Sequence, residues 1–171
     1  MPNSDEWFDV VDSNDQPLHR ATRHDVHAQG LRHRAIHVWI FGPDDHLLIQ
    51  KRSALKDHYP LVWDSSASGH VDAGESYDAS ARRETSEELG LHPPPPLTFL
   101  GKVPASPATG QEFVCLYTAR HPGPFVCPPD EIECVTWITP ADLDHAMAHQ
   151  PHTFAPCFRH LWQIFRPHLT L

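Results

Sequence analysis

The stretch Gly69-His70-Val71-Asp72-Ala73-Gly74-Glu75, running on into Ser76–Leu91, limits what this chain can fold into more than any other segment. It reads as a glycine-bearing loop that enters a helix. Ser76 suits the N-cap, Asp78 puts a negative charge in the first turn where the helix dipole favours it, and Gly90 is a natural stop. Glu84, Glu87 and Glu88 follow at i, i+3 and i+4, so their side chains leave one face of that helix. Ala81, Thr85 and Leu89 repeat at i, i+4 and i+8 and form a second stripe that packs inward. Like charges gathered on one patch repel unless something positive sits among them. Two arrangements answer this. One is a solvated acidic face in which Arg83 and Glu87 pair at i, i+4. The other is a divalent cation held by carboxylate oxygens with water completing its shell, Mg²⁺ being the ordinary choice.

The full pattern is more specific than its carboxylates. From Gly69 to Leu91 it resembles the Nudix box: Gly69, five residues, Glu75, seven residues, Arg83-Glu84, an aliphatic, any residue, Glu87-Glu88, any residue, Gly90 and an aliphatic. Its departure is Thr85, where the family usually has an aliphatic residue. Thr85 falls on the inward stripe, so the change touches packing and not the acidic face. The resemblance implies the Nudix fold, an α/β (α+β) arrangement with a mixed sheet sandwiched between helices. It also implies a Mg²⁺-dependent pyrophosphohydrolase (Mn²⁺ serving as well) that uses metal-activated water. The substrate class would be a nucleoside di- or triphosphate or a related nucleoside diphosphate derivative, cleaved at a diphosphate linkage. Roles carry over residue by residue. Glu87 and Glu88 hold the metal, Glu84 ligates it or supports a ligand, the Gly69 carbonyl adds an oxygen, Glu75 supports or ligates at the helix start, and Arg83 orients the carboxylates. The proton goes to a box glutamate or to one in a later loop. Pro129-Asp130-Glu131-Ile132-Glu133 looks like that loop, with Glu131 ranked ahead of Glu133.

Within the Nudix group the chain is most similar to the branch related to isopentenyl diphosphate isomerase. The likeness runs through Leu31-Arg32-His33-Arg34-Ala35, Lys51-Arg52, Lys56, Trp63 and Gly69-His70. It implies that Arg52 and Lys56 grip the diphosphate, as Arg suits bidentate phosphate contacts. It also makes His33 and His70, with Glu112, a possible second metal site. The isomerase needs a cysteine just before its Gly-His, and Ser68 stands there; a hydroxyl is far less acidic than a thiol. Isomerase-like activity is therefore the disfavoured alternative. A non-catalytic nucleotide-binding Nudix module is another, opposed by the presence of Glu75, Glu84, Glu87 and Glu88 together.

The remaining chain fits one domain over 1–171. Lys plus Arg is 13 against 22 Asp plus Glu, a formal charge of −9. That balance argues for a small-molecule nucleotide partner and against a nucleic-acid polymer. No membrane span or secretion signal is legible, which predicts a cytoplasmic protein. Cys115, Cys127, Cys134 and Cys157 lack metal-type spacing and read as reduced, mostly buried thiols. Turn residues predict a hairpin over 6–22, a short helix over 23–30, and strands over 33–41, 47–50, 97–104, 111–119 and 132–138. Helices are expected over 140–149 and about 153–166, where Phe154, Phe158, Leu161, Trp162 and Phe165 form a core stripe. A base would stack on one of Trp39, Tyr59, Trp63 or Phe113; neither the leaving group nor the oligomeric state follows from the sequence.

Overall fold

The computed structural model describes residues 6–170. An N-terminal hairpin, β1 (Trp7–Val11) and β2 (Pro17–Thr22), leads into α1 (Arg23–Gln29). The Thr22 hydroxyl caps α1 by accepting from the Asp25 N–H at 3.2 Å, and Gly30 ends it in the left-handed region that favours glycine. Next come β3 (His33–Phe41), β4 (Leu47–Arg52), the short β5 (Trp63–Asp64) and β6 (Ala67–His70). The helix α2 (Tyr77–Leu89), capped by Ser76 and stopped by Gly90, carries the acidic face. Strands β7 (Thr98–Val103), β8 (Glu112–Arg120) and β9 (Ile132–Ile138) precede α3 (Pro140–His149) and α4 (Pro156–Phe165).

The sheet is mixed. β3 runs parallel to β8 over the whole span from His33↔Glu112 to Phe41↔Arg120, and its other neighbours are antiparallel. Period-two alternation sorts the two faces. Ala35, Trp39 and Phe41 of β3 join Val114 and Leu116 of β8 against Leu143, Phe158, Leu161, Trp162 and Phe165 of α3 and α4. Ile36, Val38 and Ile40 join Cys115, Tyr117 and Ala119 against Ala81 and Leu89 of α2. The expected helix–sheet–helix sandwich is thus observed, and the aromatic stripe of the last helix is core. Thr85 is fully buried in α2 and returns its hydroxyl to the Ala81 carbonyl at 2.7 Å, so a polar group fits the inward stripe.

The sheet forks. β3 and β4 pair only at Phe41↔Leu47; beyond that point β3 takes β6 as its partner while β4 takes β9 and β5. Ser66 sits in the crotch, fully buried. Its hydroxyl accepts from the Ile40 N–H at 2.7 Å and donates to the Leu48 carbonyl at 2.5 Å. It thereby satisfies backbone groups that the separating strands leave unpaired. The four cysteines are free, and no helix among the described residues is long and apolar enough to cross a membrane.

Candidate active site

A cleft of about 590 Å³ lies at the fork, and its lining includes Arg52, Lys56, Gly69, Arg83, Glu84, Glu87, Glu88 and Glu131. Most of the residues expected from the box are therefore on one surface. Glu75 and Glu133 are not on that lining; Glu133 lies exposed in β9, which leaves Glu131 as the later-loop glutamate that faces the cleft.

Arg83 organises the acidic face. Its Nε and Nη2 donate to the two Glu75 oxygens at 3.0 and 2.9 Å, a bidentate pair, and Nη1 donates to Glu84 at 2.6 Å and to Glu87 at 3.4 Å. Nη2 also reaches the His70 carbonyl at 3.1 Å, tying the helix to the end of β6. Both Glu75 oxygens are thereby engaged, and Glu75 serves the face through Arg83. Glu88 Oε2 accepts from the buried Gln50 amide at 2.7 Å and from the Ser68 backbone N–H at 3.0 Å. Burial, and then the neighbouring Glu88 charge, push the Glu84 carboxyl well above the usual carboxylate range. Burial also raises Glu88, although Lys56, the Ser68 N–H and Gln50 pull it back. These two carboxyls are short of positive charge, the condition that a bound cation relieves. Gly69 packs directly against Glu84: a side chain at Gly69 would overlap the Glu84 carboxyl.

The phosphate-facing candidates are engaged in the rim. Arg52 donates from Nε and Nη2 to the His58 and Tyr59 carbonyls at 3.1 to 3.3 Å, and from Nη1 to Asp64 at 3.2 Å. It straps the 53–62 loop to the end of β4. Lys56 on that loop forms an ion pair with Glu131 across the cleft mouth.

A second constellation borders the same cleft. His33 and Glu112 face each other through the β3–β8 register, and His70 lies beside them through Ala35↔His70. His70 Nε2 is 3.0 Å from Glu112 Oε1. His33 Nε2 is 3.3 Å from the same oxygen but without hydrogen-bond alignment, so it stays unpartnered although buried. The structure adds His27 of α1, whose Nε2 is also buried without a partner. Ligand atoms of His27, His33 and His70 lie within 4.8 Å of one another. His33 Nδ1 is 2.9 Å from the Leu31 carbonyl, which tethers the ring to the chain before β3. Burial, then the His70 and His33 charges, lower His27 to about 4. Burial would raise Glu112, but the His33 and His70 contacts outweigh it and hold the carboxyl low. Three imidazoles gathered beside a carboxylate, with two orphaned buried nitrogens, are a donor set for a divalent transition ion. His27 was not foreseeable: it sits on a separate helix, and no local spacing links it to the others.

Of the aromatics proposed for stacking, Trp39 is fully buried in the core, Phe113 is buried, and Tyr59 is exposed at the cleft rim.

Residues 31–157 match the family model described as NUDIX domain. A Nudix hydrolase of Streptomyces coelicolor is 38% identical over 138 residues, 80% of this chain and 75% of the relative. An isopentenyl-diphosphate Delta-isomerase of Photorhabdus laumondii is 39% identical over 90 residues, 53% of this chain and 51% of that protein. Among solved structures, DR0079 from Deinococcus radiodurans has a TM-score of 0.74 at 28% identity, covering 85% of this chain and 90% of its own. The NUDIX domain of Shewanella oneidensis NrtR, solved with ADP ribose, has a TM-score of 0.61 at 19% identity, covering 88% and 100%; that likeness concerns the fold.

Proposed function

The chain belongs to the Nudix hydrolase family, and from that premise we propose that it hydrolyses a diphosphate linkage in a nucleoside di- or triphosphate or a related nucleoside diphosphate derivative, with Mg²⁺ or Mn²⁺. The observation that carries this reading is the convergence of Glu84, Glu87, the buried Glu88 and the Gly69 backbone on one wall of the cleft. The three carboxylates, with the Gly69 carbonyl, would hold the ion. Bound there, a divalent ion supplies Lewis acidity toward the phosphates and acidifies water.

The chain's own groups do the rest. Arg83, anchored by Glu75, fixes the rotamers of Glu84 and Glu87 before substrate arrives. Gln50 and the Ser68 N–H occupy Glu88 Oε2 and leave its other oxygen for the ion. Arg52 and Lys56 present positive charge at the rim of a cleft that also gathers Glu84, Glu87, Glu88 and Glu131. A phosphate that draws Lys56 away from Glu131 frees that carboxylate to accept a proton. One protein of the same fold, the NUDIX domain of NrtR, was solved with ADP ribose, which is consistent with a nucleotide as substrate. The whole of residues 1–171 would then work as one Nudix unit, in the cytoplasm.

A second divalent ion at His27, His33, His70 and Glu112 is favoured by the two unpartnered nitrogens. The isomerase reaction is not, because Ser68 occupies the thiol position and spends its backbone N–H on Glu88. Phosphate release from a panel of nucleoside di- and triphosphates, nucleotide sugars and isopentenyl diphosphate, with Mg²⁺, Mn²⁺ or chelator, tests the proposal. Metal-dependent release from one nucleotide class supports it. Tight binding of a nucleotide with no release under any metal rejects it in favour of a binding module.

A further inference from the structure

His37 belongs neither to the acidic face nor to the histidine cluster, yet it lines the cleft beside Ala35, Ala155 and Cys157. It lies on the β3 face that looks toward α3 and α4, as its neighbours Ala35 and Trp39 do, whereas α2 and its carboxylates pack on the opposite face. A substrate whose phosphates meet α2 and whose remainder passes through the fork therefore brings its non-phosphate half to His37.

The proton on this ring is fixed by its neighbours. His37 Nδ1 is 2.7 Å from the Ser65 hydroxyl oxygen, and Trp39 Nε1 donates to that same oxygen at 2.9 Å. Ser65 is fully buried and His37 is 5% exposed. An indole N–H only donates, and a hydroxyl carries a single proton. Were Nδ1 also to donate, the Ser65 proton would be sealed in the interior without an acceptor. With Ser65 donating to Nδ1, all three groups are satisfied. The neutral ring then carries its hydrogen on Nε2. Burial keeps the ring uncharged, against the opposing pull of Asp64. Nε2 has no hydrogen bond within the described residues and is not one of the sealed, unpartnered nitrogens, so it opens to the cleft.

We propose that His37 is a specificity-determining residue whose Nε2–H donates to a hydrogen-bond acceptor on the nucleoside half of the substrate, a ring nitrogen or carbonyl oxygen of the base. The inference rests on the hydrolase reading above for its substrate class. Trp39 and Ser65 are positioning residues that hold the donor in place.

The test pairs kinetics with spectroscopy. Wild type, His37→Phe, His37→Gln and Ser65→Ala are assayed on ADP, GDP, CDP and UDP with Mg²⁺, and the ¹⁵N shifts of the His37 ring are recorded with and without each nucleotide. The ligand-free ring is expected as the Nε2–H tautomer. His37→Phe lowers kcat/KM about 3- to 10-fold, mainly through KM, for the bases that present the acceptor, so the order of preference changes. His37→Gln, which keeps a donor, recovers part of that order, and Ser65→Ala gives mixed tautomers with a smaller loss. An Nδ1–H tautomer, or an equal loss on all four nucleotides, overturns the proposal. If wild type cleaves neither these four nor any nucleotide of the panel above, the hydrolase reading fails, and in every case the ring signal decides His37 separately. A shift on adding one nucleotide upholds the donor role, and silence to all four overturns it.

Discussion

At the scale of single residues, the acidic face depends on contacts with no slack. Gly69 has no room for a side chain because Glu84 occupies the space. Gly69→Ala is expected to displace the Glu84 carboxyl and to lower kcat at least about tenfold, a loss of roughly 1.4 kcal/mol of transition-state stabilisation. Steady-state kinetics alongside a thermal melt check this, and unchanged turnover contradicts it. The box residues were legible because helical spacing alone puts Glu84, Glu87 and Glu88 on one face beside Arg83, while the roles expected of them came from the resemblance to the box. Gln50 and His27 were not. Gln50 reaches Glu88 across the sheet and His27 reaches His33 from another helix, so only the tertiary fold pairs them.

At the scale of elements, turn and cap residues marked most boundaries, including Gly30 after α1 and Ser76 before α2. β5 and β6 escaped because they are two and four residues long and are joined by Ser65 and Ser66, where a strand signal expects apolar alternation. Those serines are structural. Ser66→Ala strips partners from the buried Ile40 N–H and Leu48 carbonyl and is expected to cost about 1–3 kcal/mol, read by urea unfolding. A neutral result would mean that the fork does not need the stitch. The N-terminal hairpin is pinned through its turn: Asp15 accepts from Arg34 at 2.6 Å and Tyr77 at 2.8 Å, and pairs with Lys102. Burial raises the Asp15 carboxyl, but the Lys102, Arg34 and Tyr77 hydrogen bonds outweigh it and hold it below its usual value. A carboxyl depressed in the folded state stabilises fully above its unfolded value of about 3.9, and that stability fades as pH falls toward the folded value. Asp15→Asn should cost about 3 kcal/mol at pH 7 and flatten the loss of stability below about pH 4. Parallel wild-type and variant curves through that range contradict the clamp.

At the scale of the molecule, a forked mixed sheet brings an acidic helix, a strapped cationic loop and a histidine cluster to one cleft. The sandwich was legible from strand order and the box, but the fork was not, since it arises from which strands exchange partners. An ion held by His27, His33, His70 and Glu112 would join α1 to the sheet. Co²⁺ at about 100 times its dissociation constant should therefore add about 2.7 kcal/mol of stability. Chelator and His27→Ala should each remove that gain; an equal gain in the variant contradicts the site. The central claim is that the α2 carboxylates make this cleft a metal-dependent hydrolase site. Its most direct test is the Mg²⁺-dependent turnover of Glu88→Gln on the nucleotide that wild type cleaves best, with folding confirmed by its melt. A fall in kcat of about 10²- to 10³-fold, from loss of several kcal/mol of metal-borne stabilisation, is the predicted result. Full Mg²⁺-dependent turnover by the folded variant would contradict it.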